Sequence, residues 1–86
     1  MLQAIWAQVR PLYPLTLTTT RQVDDGFTID VPVITGHNGR ASFWLYDDGG
    51  ELVFSAEVPG QAYHDHWHPQ RVSEAVEAIS AFMTAR

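Results

Sequence analysis

The stretch ASFWLYDDGGELVFSAEV, residues 41–58, decides the fold, because two strands and the turn joining them can be read from it directly. Large and small side chains alternate on both sides of D-D-G-G, residues 47–50, and a period of two marks a strand with one buried face. A turn centred on Asp48-Gly49 is expected to set Tyr46 against Glu51, Leu45 against Leu52, Trp44 against Val53 and Phe43 against Phe54. One face then collects Ala41, Phe43, Leu45, Leu52, Phe54 and Ala56, all apolar. A slip of one residue would mix polar with apolar positions on both faces, so turn and pattern agree. The opposite face carries Ser42, Trp44, Tyr46, Val53 and Ser55, which is more apolar than a solvated face needs.

Two more strand-like runs precede this ribbon, LTLTTTRQV (15–23) and FTIDVPVI (27–34). D-D-G and G-H-N-G separate the runs, and like D-D-G-G each holds an Asp-Gly or Asn-Gly pair able to take the positive dihedrals of a tight hairpin turn. Pro32 has no amide hydrogen to give to a ladder, which predicts a bulge or an early strand end at that point.

The two ends of the chain read as helices. Leu2, Ile5, Trp6 and Val9 recur at steps of three and four and so share one helical face, and Pro11 and Pro14 stop the helix beyond it. In VSEAVEAISAFM (72–83), Val72, Val76, Ile79, Phe82 and Met83 form a stripe with Glu74 and Glu77 away from it. That helix is expected to start either with Ser73 as its cap or with Pro69 at the first helical position and His68 just before it. The expected fold class is α+β: a single domain, 1–86, in which a four-stranded antiparallel meander carries the N- and C-terminal helices on one face, in the order α-β-β-β-β-α.

Composition narrows the function classes. The chain has 86 residues, enough for one domain, and no cysteine, so disulfides, thiolate metal sites and a cysteine nucleophile are excluded. Its formal net charge is -5, and the excess lies in residues 41–86, where Arg71 and Arg86 face Asp47, Asp48, Glu51, Glu57, Asp65, Glu74 and Glu77. Nucleic acid is not an expected partner, because phosphate backbones are bound by clustered cations. MLQAIWAQVRPLYP (1–14) lacks the basic leader and apolar run of a signal peptide, and no stretch has the length of a membrane span. The expectation is a soluble, cytoplasmic protein.

Chemistry is suggested in one place, Y-H-D-H-W-H-P (63–69), which holds His64, His66 and His68 at every second position. In an extended strand these point to one side, roughly 6.6 Å apart per step, so two can converge on one ion while the outer pair, about 13 Å apart, cannot without a bend. Zinc or a similar divalent ion would need further ligands, for which His37, Asp47, Asp48 and Glu51 are candidates, none at a diagnostic spacing. The plainer reading is a polar loop from the last strand into the helix, with Tyr63 and Trp67 packed over the sheet end. Imidazoles beside Asp65 also suit a pH-sensitive contact.

Other constellations are explained by local structure. Asp24-Asp25 and Asp47-Asp48 precede glycine and belong to turns, no serine stands in a nucleophile elbow, and G-H-N-G lacks the lysine and following helix of a phosphate loop. Trp44, Tyr46 and Val53 remain, on the sheet face away from the helices. The reading that follows is a non-enzymatic protein-interaction module that uses this face to form a homodimer or bind another protein, a class that includes small acidic inhibitors. It expects no cofactor. The alternative is a metal-binding protein using His64, His66 and His68.

Overall fold

A computed structural model describes residues 1–19, 21–22, 28–57 and 65–85. The order is α1 (Leu2–Val9), β1 (Thr16–Thr18), β2 (Arg21–Gln22), β3 (Thr28–Ile29), β4 (Val33–His37), β5 (Ser42–Asp48), β6 (Glu51–Glu57), β7 (Asp65–Trp67) and α2 (Val72–Thr84). The expected antiparallel meander with a helix at each end is present. Its main sheet runs β1-β4-β5-β6-β7, so the histidine-rich segment adds a short fifth strand at one edge.

The first hairpin is a single ribbon broken in the middle. Its outer part pairs β2 with β3, and its inner part pairs β1 with β4. Between the two ladders one arm advances three residues, from Thr18 to Arg21, and the other four, from Ile29 to Val33. The extra residue falls in 30–32, where Pro32 leaves the ladder without a donor.

The β5–β6 ribbon keeps the expected faces but not the expected pairs. Leu45 opposes Phe54, Tyr46 opposes Val53 and Asp48 opposes Glu51. The turn is therefore Gly49-Gly50, one residue beyond the expected centre. Both glycines have positive φ, 63° and 93°, as the type I′ hairpin turn requires. Asp47 Oδ1 accepts the Gly50 N–H at 2.6 Å and holds the turn closed. Moving the centre by one residue shifts each partner by two, so no side chain changes face.

Both helices lie on the face that carries Phe43, Leu45 and Leu52. Leu2, Ile5 and Val9 of α1 and Ala75 and Ile79 of α2 close over Ile34, Phe43, Leu45 and Leu52 in one buried cluster. Phe43 stacks on Phe54 at 5.3 Å, and Phe82 meets both edge-on at 5.2 and 6.3 Å, which ties α2 to β5 and β6. Gly36 sits in this layer, where a Cβ would come 2.5 Å from Leu15 Cδ2 and 2.7 Å from Phe43 Cε1. Helix α2 begins at Val72 with Arg71 at the N-cap, so neither Ser73 nor Pro69 starts it. The first turn is instead anchored by Glu74, whose Oε2 accepts the Gln70 N–H at 3.1 Å.

Candidate functional site

The register fixes what lies on the sheet face away from the helices. One row across it holds Thr16, Thr35, Trp44, Ser55 and, by register, His66, and the next holds Thr18, Val33, Tyr46 and Val53. These are the positions that alternation in 41–58 assigns to that face. Trp44 and Tyr46 are partly buried, whereas Val33 is fully buried and Val53 is only 7% exposed. The contact surface expected at Trp44, Tyr46 and Val53 therefore offers its two aromatics more than its valine.

Hydroxyl groups on this face differ in how they are used. Thr35 Oγ1 donates to the Phe43 carbonyl at 2.8 Å, a cross-strand bond that satisfies it. Ser55 is 2% exposed, and among the described residues its Oγ has no hydrogen-bond partner. A buried hydroxyl without a partner is costly, because its bonds to water are lost and not replaced.

The histidines do not gather as the spacing suggested. His64 lies outside the described residues, as does Tyr63, while His66 belongs to β7 and pairs with Ser55. His68 follows the strand and turns toward the start of β6. Its Nδ1 is 3.1 Å from the Leu52 carbonyl and 3.4 Å from Glu51 Oε1. The carbonyl is the nearer acceptor for an Nδ1–H, and the carboxylate becomes an ionic partner only when the ring is protonated.

Of the proposed extra ligands, Glu51 is thus brought to a histidine. His37 is occupied at the other end of the sheet, where its Nδ1 accepts the Gly39 N–H at 2.9 Å. Among the described residues, no three His, Asp or Glu side chains are grouped to hold a metal ion. Trp67, expected to pack over the sheet end, pairs with Phe54 and is 46% exposed.

A residue the sequence reading passed over as turn chemistry proves central. Asn38 donates its Nδ2–H to the Phe82 carbonyl at 3.0 Å, and its Oδ1 accepts from the Arg40 and Ala41 amides at 2.9 and 2.8 Å. It shapes the β4–β5 turn and at the same time binds a carbonyl in the last turn of α2, one that also accepts the Ala85 N–H at 3.3 Å. The only local signal was the Asn-Gly pair, which speaks for a turn and is silent about a helix carbonyl 44 residues away.

Among the described residues, no helix is long and apolar enough to cross a membrane. Comparison of the chain with protein-family models, curated proteins and solved structures gave no match.

Proposed function

We propose that the chain is a non-enzymatic protein-interaction module whose contact surface is the sheet face turned away from the helices, centred on Trp44 and Tyr46. The observation that carries this reading is how charge is distributed on that face. Neither central row contains an acidic residue or an arginine, while Asp48, Glu51 and Glu57 stand at the ends of the same strands. Aromatics in the middle, short side chains around them and carboxylates at the rim match the anatomy of a protein contact, whose core is poor in charge and rich in tyrosine and tryptophan. A carboxylate rim supports a partner that presents basic groups around an apolar patch.

The test is capture of a partner from the source cells by the native chain, followed by calorimetry of that partner against native, Tyr46→Arg and Trp44→Ser chains. Each substitution is expected to weaken binding by at least about tenfold, the loss that a partly buried anchor of this kind produces. Folded variants that bind as tightly as the native chain would remove this face as the contact surface.

One observation favours metal binding as a second reading. An Nδ1–H donated from His68 to the Leu52 carbonyl makes Nε2 the lone-pair nitrogen, the arrangement that orients histidine toward a metal. Zinc titration followed by calorimetry tests it. Affinity that is unchanged in His66→Ala and His68→Ala chains would reject these residues as ligands.

A further inference from the structure

We infer that the β4–β5 turn is a self-modification site, in which the Gly39 nitrogen closes onto Asn38 Cγ with His37 as the base and converts the asparagine, through a cyclic imide, to aspartate or isoaspartate. The site uses none of the residues of the Trp44–Tyr46 face and goes beyond the reading above.

An asparagine that cyclises onto the next amide needs a base for the amide proton and donors for the charge that develops on its side-chain oxygen. The turn supplies both. The Gly39 N–H donates to His37 Nδ1 at 2.9 Å, so the lone pair that must take this proton already faces it. Asn38 Oδ1 accepts from the Arg40 and Ala41 amides at 2.9 and 2.8 Å, and these donors are aimed at the atom that becomes an oxyanion when Cγ turns tetrahedral.

The rest of the turn holds the reacting groups in place and leaves them open to solvent. The Phe82 carbonyl accepts the Nδ2–H at 3.0 Å, so donors on one side and an acceptor on the other fix the side-chain amide in one orientation. Rotational freedom that a flexible chain must lose before cyclising is already gone here. Gly39 has a φ of 91°, and a Cβ built on it would meet nothing within 4 Å, so no side chain shields its nitrogen. His37 and Gly39 are both exposed, which gives water access to the imide.

The step balances without any oxidant or cofactor. The Gly39 amide proton passes to His37 Nδ1 as the Gly39 N–Cγ bond forms, and the carbonyl π pair moves onto Oδ1. Collapse of that intermediate breaks the Cγ–Nδ2 bond, and Nδ2 takes the proton from His37 and leaves as ammonia. Water then opens the imide at either carbonyl, giving aspartate or isoaspartate at position 38. Aspartate lacks the donor to the Phe82 carbonyl and places negative charge at the C-terminal end of α2, and isoaspartate also adds a methylene to the main chain between β4 and β5. Either product loosens the hold of the turn on α2.

The test is a time course of the folded chain at neutral pH beside the peptide TGHNGRAS (35–42), which has the same residues without the fold. Mass spectrometry follows the exchange of NH2 for OH at position 38, and chromatography separates the aspartyl and isoaspartyl products. The folded chain is expected to react at least about tenfold faster than the peptide. His37→Phe keeps a ring at this exposed strand position but offers no lone pair, and should slow the folded chain at least about tenfold while the Arg40 and Ala41 amides stay protected from exchange.

A folded chain that reacts no faster than the peptide would overturn the inference, because the turn would then guard Asn38 instead of activating it. A His37→Phe chain with its turn amides still protected and its rate unchanged would overturn it equally. Should that variant lose the protection of its turn, the comparison of native chain and peptide decides by itself.

Discussion

The same ribbon, β5–β6, builds two unlike layers. On the helix side, Phe43, Leu45 and Leu52 have essentially no exposed surface and are closed over by side chains from both helices. On the other side, Trp44 and Tyr46 keep part of their surface while Val33, Val53 and Ser55 between and beside them are buried. The first layer is what alternation plus two amphipathic helices must give, since each apolar stripe has one place to go. The second is built from hydroxyls, valines and two aromatics and, among the described residues, has no helix over it. Stability should therefore be concentrated in the first layer and recognition in the second.

The largest expected effect sharpens that contrast. Phe43→Ala removes the ring that touches both Phe54 and Phe82, and truncations of this kind in a closed core cost about 3–5 kcal/mol. Tyr46→Ala, three residues along the same strand on the partly exposed side, should cost only about 1–2 kcal/mol, because half-exposed rings lose less on truncation. Urea denaturation of both chains decides the matter. Equal losses would mean that the outer layer is as much a core as the inner one.

Next in size is Gly36→Ala, which probes how tightly the helix-side layer is closed. The new methyl would meet Leu15 and Phe43 well inside contact distance, with Met83 Sδ at 3.3 Å. Overpacking of this severity costs about 3 kcal/mol. Thermal unfolding should show a drop close to that of a core truncation, and a neutral result would show that Leu15 and Met83 can move aside freely.

Asn38→Ala should cost less, about 2 kcal/mol, through lost bonds to the Arg40, Ala41 and Phe82 backbone. Asn38→Asp keeps the acceptor for the turn but loses the donor to the Phe82 carbonyl and adds negative charge at the C-terminal end of α2. Both changes are unfavourable there. Amide exchange should therefore rise at the end of α2 in the aspartate variant while the β4–β5 turn stays protected. Exchange rising equally in both places would mean that the asparagine acts through the turn alone.

These positions also mark what could be read from residues alone. The face of every side chain in 41–57 followed from its parity, and parity survived an error of two residues in register. D-D-G-G contains two possible two-residue turns, and the apolar pattern is the same for both. Backbone chemistry chose between them, since Gly49-Gly50 takes two positive φ values without the strain that Asp48 would bear. The break at Pro32 was legible because a missing donor is a local fact. Strand β7 was not, since Asp65, His66 and Trp67 are too few to carry a pattern of their own and pair only because β6 offers an edge. Asn38 escaped notice for the same reason, its decisive partner being remote in sequence. Of the candidate site, Trp44 and Tyr46 were placed correctly by alternation, while the burial of Val33, Val53 and Ser55 depends on neighbours that alternation does not name.

The smallest effect is the one whose sign matters most. Ser55 Oγ is buried without a hydrogen-bond partner among the described residues, between Trp44 in β5 and His66 in β7 by register. Removing an unsatisfied buried hydroxyl relieves its desolvation cost and leaves a methyl in nearly the same space, so Ser55→Ala should raise the stability of the isolated chain by up to about 1 kcal/mol. Most substitutions at buried positions destabilise, and an increase here would be diagnostic. Measured in the presence of a bound protein, the same substitution has a second reading. If the partner supplies the missing hydrogen bond, Ser55→Ala stabilises the free chain yet weakens the complex, and the two signs separate a defect of the fold from a group kept for recognition. A loss of stability in the free chain would instead show that the hydroxyl is already satisfied, and the outer layer would then differ from the inner one in composition alone.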